Sequence, residues 1–276
     1  MVAFRTFLLA ALVLQAAQQA LAAPAPSPAR RLPVDVLPWV DDASASNRRD
    51  SIDLATGGRR AGGGWWALAC EQACRVQPLA LVEAGPAKSP RLVSGNTRGQ
   101  RLRFAPAPPR GTLLLFHPLR PVFAKHPLKA GPVPSGHPVG DAPFVHEADN
   151  VQDATEVSID ASGDESWLLT PTLLRPAAKP GEPAPSDDST NWPISLDLDV
   201  GRHHQSLGLI ETCGDLGWRR WLLWAGDLDG DGRPDFAVQL DVDFGGEVVL
   251  YLSSLARRGH WVGEAGHSHL EAEGEC

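Results

Sequence analysis

The stretch Trp221-Leu222-Leu223-Trp224-Ala225-Gly226-Asp227-Leu228-Asp229-Gly230-Asp231-Gly232-Arg233-Pro234-Asp235-Phe236-Ala237-Val238-Gln239-Leu240 decides the fold. Its two flanks are short aliphatic and aromatic runs, whereas its centre is dense in Asp, Gly and Pro, which form turns and are poor strand residues. The pattern predicts strands at 221–224 and 236–241 joined by a tight loop. A third run at 248–252 follows the Gly245-Gly246 turn signal, and residues 253–258 read as a helical turn.

The same pattern extends toward the N-terminus. Short apolar runs at 65–70, 75–83, 101–104, 112–117, 165–169 and 194–198 are each punctuated by Gly or Pro. With 27 Gly and 25 Pro in 276 residues, long helices are excluded, and a helical bundle with them. The expected fold is mainly β, with short antiparallel strands in one or two packed β units. Residues 23–64 are rich in Pro, Ala, Arg, Gly and Ser and read as an extended leader with one short ordered piece near 34–40, so the folded part is expected to begin near Trp65. From Trp65 onward the chain divides into an N-terminal β region, 65–150, and a C-terminal one, 151–276. The Pro-rich residues 176–193 carry no apolar periodicity and read as an exposed excursion.

Residues 1–22 have the layout of a secretory signal: Arg5, then the apolar run 7–17, then Ala20-Leu21-Ala22, with cleavage expected after Ala22. The run is too short to span a bilayer, and no later segment reaches the roughly 20 apolar residues that a spanning helix needs. The expected location is therefore secreted or periplasmic. In an oxidising compartment four cysteines most economically form two disulfides, and of three possible pairings we favour Cys70 with Cys74 and Cys213 with Cys276. A formal charge of −8 removes the electrostatic term that general nucleic-acid binding requires.

The acidic loop carries the clearest chemistry. Counting from Asp227, carboxylates stand at positions one, three, five and nine, with Gly232 at six able to take the positive φ of a tight turn. Oxygen ligands at this spacing wrap a hard cation, and the expected set is Asp227, Asp229, Asp231, the Arg233 carbonyl and Asp235. Calcium suits such a flexible ring of oxygens better than magnesium does. The loop departs from an EF-hand, because position twelve is Val238 rather than Glu, the flanks are strands, and Pro234 occupies position eight.

Residues 224–236 resemble the calcium loop of FG-GAP or VCBS repeats, the strand-loop-strand units of integrin-like β-propellers. The resemblance implies calcium ligation by Asp227, Asp229, Asp231, the Arg233 carbonyl and Asp235. It covers residues 221–241 only, in a single copy, whereas a propeller typically takes four or more blades. We therefore carry over the loop and not the propeller. The function so implied is an exported calcium-binding protein, adhesion-like or envelope-associated, with a protein or glycan ligand unspecified. The competing reading is a secreted hydrolase or carbohydrate-binding protein.

Other constellations carry less. There is no Gly-x-Ser-x-Gly elbow, and His146-Glu147-Ala148-Asp149-Asn150 lacks the second histidine of a zinc motif. His203-His204 and His267-Ser268-His269 read as solvated stretches, and Asp241 with Asp243 as a hydrated hairpin edge. Nine Trp against one Tyr suggest sugar stacking, but Trp65, Trp221 and Trp224 lie in apolar runs and core packing accounts for them more simply.

Overall fold

The computed structural model describes residues 32–39, 51–54, 62–87, 99–133, 137–138, 157–160, 166–174, 193–210, 221–240 and 247–269. They form sixteen strands and one 3-10 turn, with every strand pair antiparallel. The first sheet orders β1 (Val34–Pro38), β6 (Thr112–Pro118), β3 (Gly62–Cys70), β4 (Cys74–Ala87), β5 (Gly99–Ala105) and β2 (Ser51–Leu54), with the two-residue β7 (Gly131–Pro132) on β4. The second runs β12 (His203–Ile210), β11 (Ile194–Val200), β10 (Ser166–Leu173) and β9 (Val157–Asp160). The third runs β16 (Gly263–His269), β15 (Glu247–Leu252), β14 (Asp235–Gln239), β13 (Leu222–Gly226) and β8 (His137–Pro138). The fold is thus mainly β and antiparallel, and its described residues form no closed propeller.

Side-chain alternation explains how the sheets stack. In β15, Val249 and Tyr251 join the core shared with the second sheet, while Val248, Leu250 and Leu252 join the core shared with the first. β14 divides likewise, Phe236 and Val238 facing one core and Ala237 the other. A strand buried on both faces reads as an unbroken apolar run, which is the appearance of residues 248–252. The third sheet is therefore the middle layer. The Tyr251 hydroxyl, donating to the Leu207 carbonyl, ties it to the second sheet.

The first sheet curls around a core of its own. Leu37 of β1 and Ile52 of β2 stand on strands at opposite ends of the sheet order, yet both join one cluster with Trp65, Leu79, Leu102 and Phe104. Only a strongly curved sheet brings its two edges together in this way. Cys70 pairs with Cys74 at the end of the β3–β4 hairpin and is bonded to it as a disulfide, as expected. A loop this short contributes only about 2 kcal/mol. Cys213 and Cys276 lie outside the described residues.

The ordered part begins earlier than Trp65. β1 and β2 fall within the 23–64 segment, and Val36 and Leu37 of β1 are 0% and 1% exposed. The reason is long-range: β1 pairs with β6, and Gly266 of β16 lies so close that a Cβ there would stand 2.3 Å from the Val34 carbonyl oxygen. The expected boundary near residue 150 lies outside the described residues. Strands from both sides of it nonetheless share one core, since Val34, Leu68 and Phe116 cluster with Val248, Leu250 and Ala265. The excursion at 176–192, together with Asp241, Asp243 and the 146–150 run, is likewise outside the described residues.

Trp65, Trp221 and Trp224 are buried at 2%, 4% and 0% exposure, which makes them core residues. The helical turn expected at 253–258 is a 3-10 turn, Ser253–Leu255.

Candidate metal centre

β13 and β14 pair up to Gly226 and Asp235, so residues 227–234 form the loop of a hairpin in the middle sheet. Gly230 and Gly232 take φ of +72° and +86°, left-handed conformations that bend the chain back twice within three residues. The turn chemistry expected of Gly232 is present, and Gly230 shares it.

Asp235 organises the loop. It is fully buried, and its two carboxylate oxygens accept three backbone N–H groups between them. Oδ2 receives the backbone N–H of Leu228 at 2.7 Å and of Asp229 at 3.1 Å. Oδ1 receives the Ser253 N–H at 2.7 Å and lies 3.1 Å from the Ser253 hydroxyl. The Ser253 hydroxyl has a single proton and lies closer to Asp231, at 2.8 Å, so three backbone N–H groups hold this carboxylate and, of its roughly four lone-pair sites, one stays open on Oδ1. Asp235 gathers the start of its own loop and the turn after β15.

Asp227 and Asp229 converge with it. Asp227 Oδ2 accepts from Gly232 N at 3.0 Å and Asp229 Oδ1 from Asp231 N at 3.2 Å, both bonds internal to the loop. Asp229 Oδ2 accepts from Ser254 N at 3.4 Å. One carboxylate oxygen from each of Asp227, Asp229 and Asp235 lies within 4.8 Å of the other two. Asp227 Oδ1 is buried with no hydrogen-bond partner among the described residues. A buried, unsatisfied anionic oxygen beside two further carboxylates is costly unless positive charge compensates it.

The electrostatics agree. Burial pushes the Asp235 carboxyl well above the usual carboxylate range, with the Asp229 charge adding to the effect. Asp229 is raised as well, chiefly by burial; its hydrogen bonds with Ser254 oppose the shift and the Asp231 charge adds to it. Both groups give up their protons reluctantly at a site without a cation, and a bound cation would reverse the preference. The donor set is all oxygen, which fits a hard divalent ion.

Asp231 stands apart from the three. Its Oδ1 accepts from Arg233 N at 2.9 Å and from the Ser253 hydroxyl at 2.8 Å, and it is not part of the convergent group. Arg233 is exposed, and its contact with the loop is that backbone N–H. Ser253 is a functional residue that sequence reasoning misses. It is 2% exposed and bridges Asp231 and Asp235 from 22 and 18 residues away, and nothing in a Ser-Ser pair after a strand signals such a role. The connection between β6 and β7 also approaches the loop: a Cβ at Gly230 would lie 3.3 Å from His126 Cβ, and Leu228 shares a cluster with Phe123.

The histidine pairs lie elsewhere. His204 is exposed, with Nδ1 3.0 Å from Asp199 and Nε2 3.6 Å from Asp197. His267 is exposed beside Glu264 at 2.7 Å. Comparison of the chain with protein-family models, curated proteins and solved structures finds no match. No helix among the described residues is long and apolar enough to cross a membrane.

Proposed function

We propose that this chain is an exported calcium-binding protein whose cation, held by the Asp227 to Asp235 loop, stabilises a binding or adhesion-like module. The observation that carries the reading is the buried, unpartnered Oδ1 of Asp227, a residue whose carboxylate lies within 4.8 Å of those of Asp229 and Asp235. The spacing of the Asp and Gly residues, the all-oxygen donor set and the resemblance to FG-GAP or VCBS loops support calcium over a softer ion. Asp227, Asp229 and Asp235 would hold the ion. Asp231 and the Arg233 carbonyl belong to the expected set on spacing and resemblance alone.

Such a cation acts as a clip between β13, β14 and the turn after β15. At a free calcium concentration about 100 times Kd it adds about 2.7 kcal/mol to stability. Extracellular modules bind calcium with Kd of about 10⁻⁴ to 10⁻³ M. The signal-like residues 1–22 support a compartment where that concentration is met. Titration calorimetry of calcium into EDTA-stripped protein should show roughly one site and a higher melting temperature. The absence of both binding heat and a thermal shift would overturn the reading.

A further inference from the structure

The connection from β15 to β16, residues 253–262, is fastened at both ends. Ser253 and Ser254 anchor its start on the acidic loop. At its end the buried Gln205 of β12 accepts from Trp261 N at 2.7 Å and Val262 N at 3.3 Å through Oε1, and donates to the Val262 carbonyl at 3.0 Å through Nε2. The Trp261 ring stands edge-on to Trp167 at 5.4 Å and to His203 at 5.9 Å. Two loops are thereby locked side by side, the tip of the β11–β12 hairpin and the turn 257–260.

What they present is one-signed. Gly201, Arg202, His203 and His204 are all exposed on the first, and Arg257, Arg258, Gly259 and His260 on the second. Gly201 and Gly259 take φ of +61° and +84°, and His260 N closes its turn on the Arg257 carbonyl at 2.9 Å. Neither 201–210 nor 253–263 contains an Asp or Glu. Carboxylates border this region: Asp197 and Asp199 face His204, Glu264 faces His267, and Asp160 stands at the same end of the second sheet as the β11–β12 tip. Arg202, Arg257 and Arg258 form no ion pair among the described residues. Three guanidiniums without an ion pair among the described residues, carried on these two loops in a chain of net charge −8, form a local basic cluster.

We propose that this surface binds an anionic polysaccharide. Guanidinium forks match carboxylate and sulfate oxygens in pairs, and the exposed His203 ring, held beside the half-buried Trp261, offers a ring surface against which a sugar can pack. The patch has no exposed aliphatic side chain to insert into a bilayer: the exposed large hydrophobics, Val82, Leu119, Leu174 and Leu209, lie outside both loop tips. The Gln205 clamp and the β11–β12 tip are separate from the acidic loop, whereas the start of 253–262 is fastened to it, so the arms with and without EDTA read how far the surface depends on a bound cation.

The test is affinity electrophoresis of the full chain through gels containing dextran sulfate, polygalacturonate or neutral dextran, with and without EDTA. The protein should be retarded by the two polyanions and not by dextran, less so as salt rises from about 50 mM to about 200 mM. Replacing Arg202, Arg257 and Arg258 together by Gln should weaken retardation about tenfold or more without lowering the melting temperature. The same change at Arg75, Arg110 and Arg120, also exposed, should leave it intact. His203→Ala tests the ring edge and should weaken polygalacturonate binding. Equal loss in both triple variants, or no retardation by either polyanion, overturns the proposal. So does sedimentation with phosphatidylglycerol vesicles in the absence of polysaccharide binding. Retardation that persists in EDTA while calcium fails to bind would sink the calcium reading alone.

Discussion

Two aspartates in the acidic loop have separable tasks. Asp235 accepts from three backbone N–H groups, so Asp235→Asn turns an amide toward N–H groups that then lose their acceptor. Leaving two buried donors unmet costs roughly 3 kcal/mol, and urea denaturation should show that loss with calcium or without it. Asp229 has fewer bonds and a raised pKa. In the cation-free fold its contribution is fully present below the ordinary carboxylate value of 3.8 and is lost as pH rises through the raised value. Asn does not titrate. In EDTA, Asp229→Asn should therefore gain on the wild type in melting temperature as pH rises above 3.8, while its calcium affinity falls. Parallel pH profiles for the two proteins would show that the Asp229 charge is not strained.

Elements are legible in the sequence where their burial pattern is local, and illegible where it is borrowed. The runs at 248–252 and 112–117 declare themselves because both faces are covered and the side chains are apolar throughout. β1 does so only in part: it falls on the ordered piece expected near 34–40, but Val34, Val36 and Leu37 sit among Pro, Asp and Trp and become core only through β6 and β16. The loop is readable because Asp and Gly at fixed offsets determine its turns, whereas Ser253 and Gln205 act on partners roughly 20 and roughly 60 residues distant, beyond any periodicity. Gly266 is the hidden joint. A Cβ there meets the Val34 carbonyl and, at 2.8 Å, the Val36 side chain, so Gly266→Ala should cost about 2 kcal/mol by forcing β1 outward. A melting temperature unchanged by that substitution would contradict the contact.

At the scale of the whole molecule, the core that joins Val34 and Phe116 to Val248 and Leu250 makes the first and third sheets interdependent. Unfolding should then be a single transition, with tryptophan fluorescence and far-ultraviolet circular dichroism coinciding, and Val36→Asp should shift both curves together. Two resolved transitions would indicate separate cores. The close approach of Val34 and Gly266 also bears on how the chain is made. The ribosome adds roughly 5–20 residues each second, and the partner that covers the first strand is encoded roughly 230 residues after it, so β1 must wait on the order of tens of seconds. During that interval Val34 to Pro38 is a strand edge without its cover, and the Pro and charged residues around it serve to keep other chains from pairing there first.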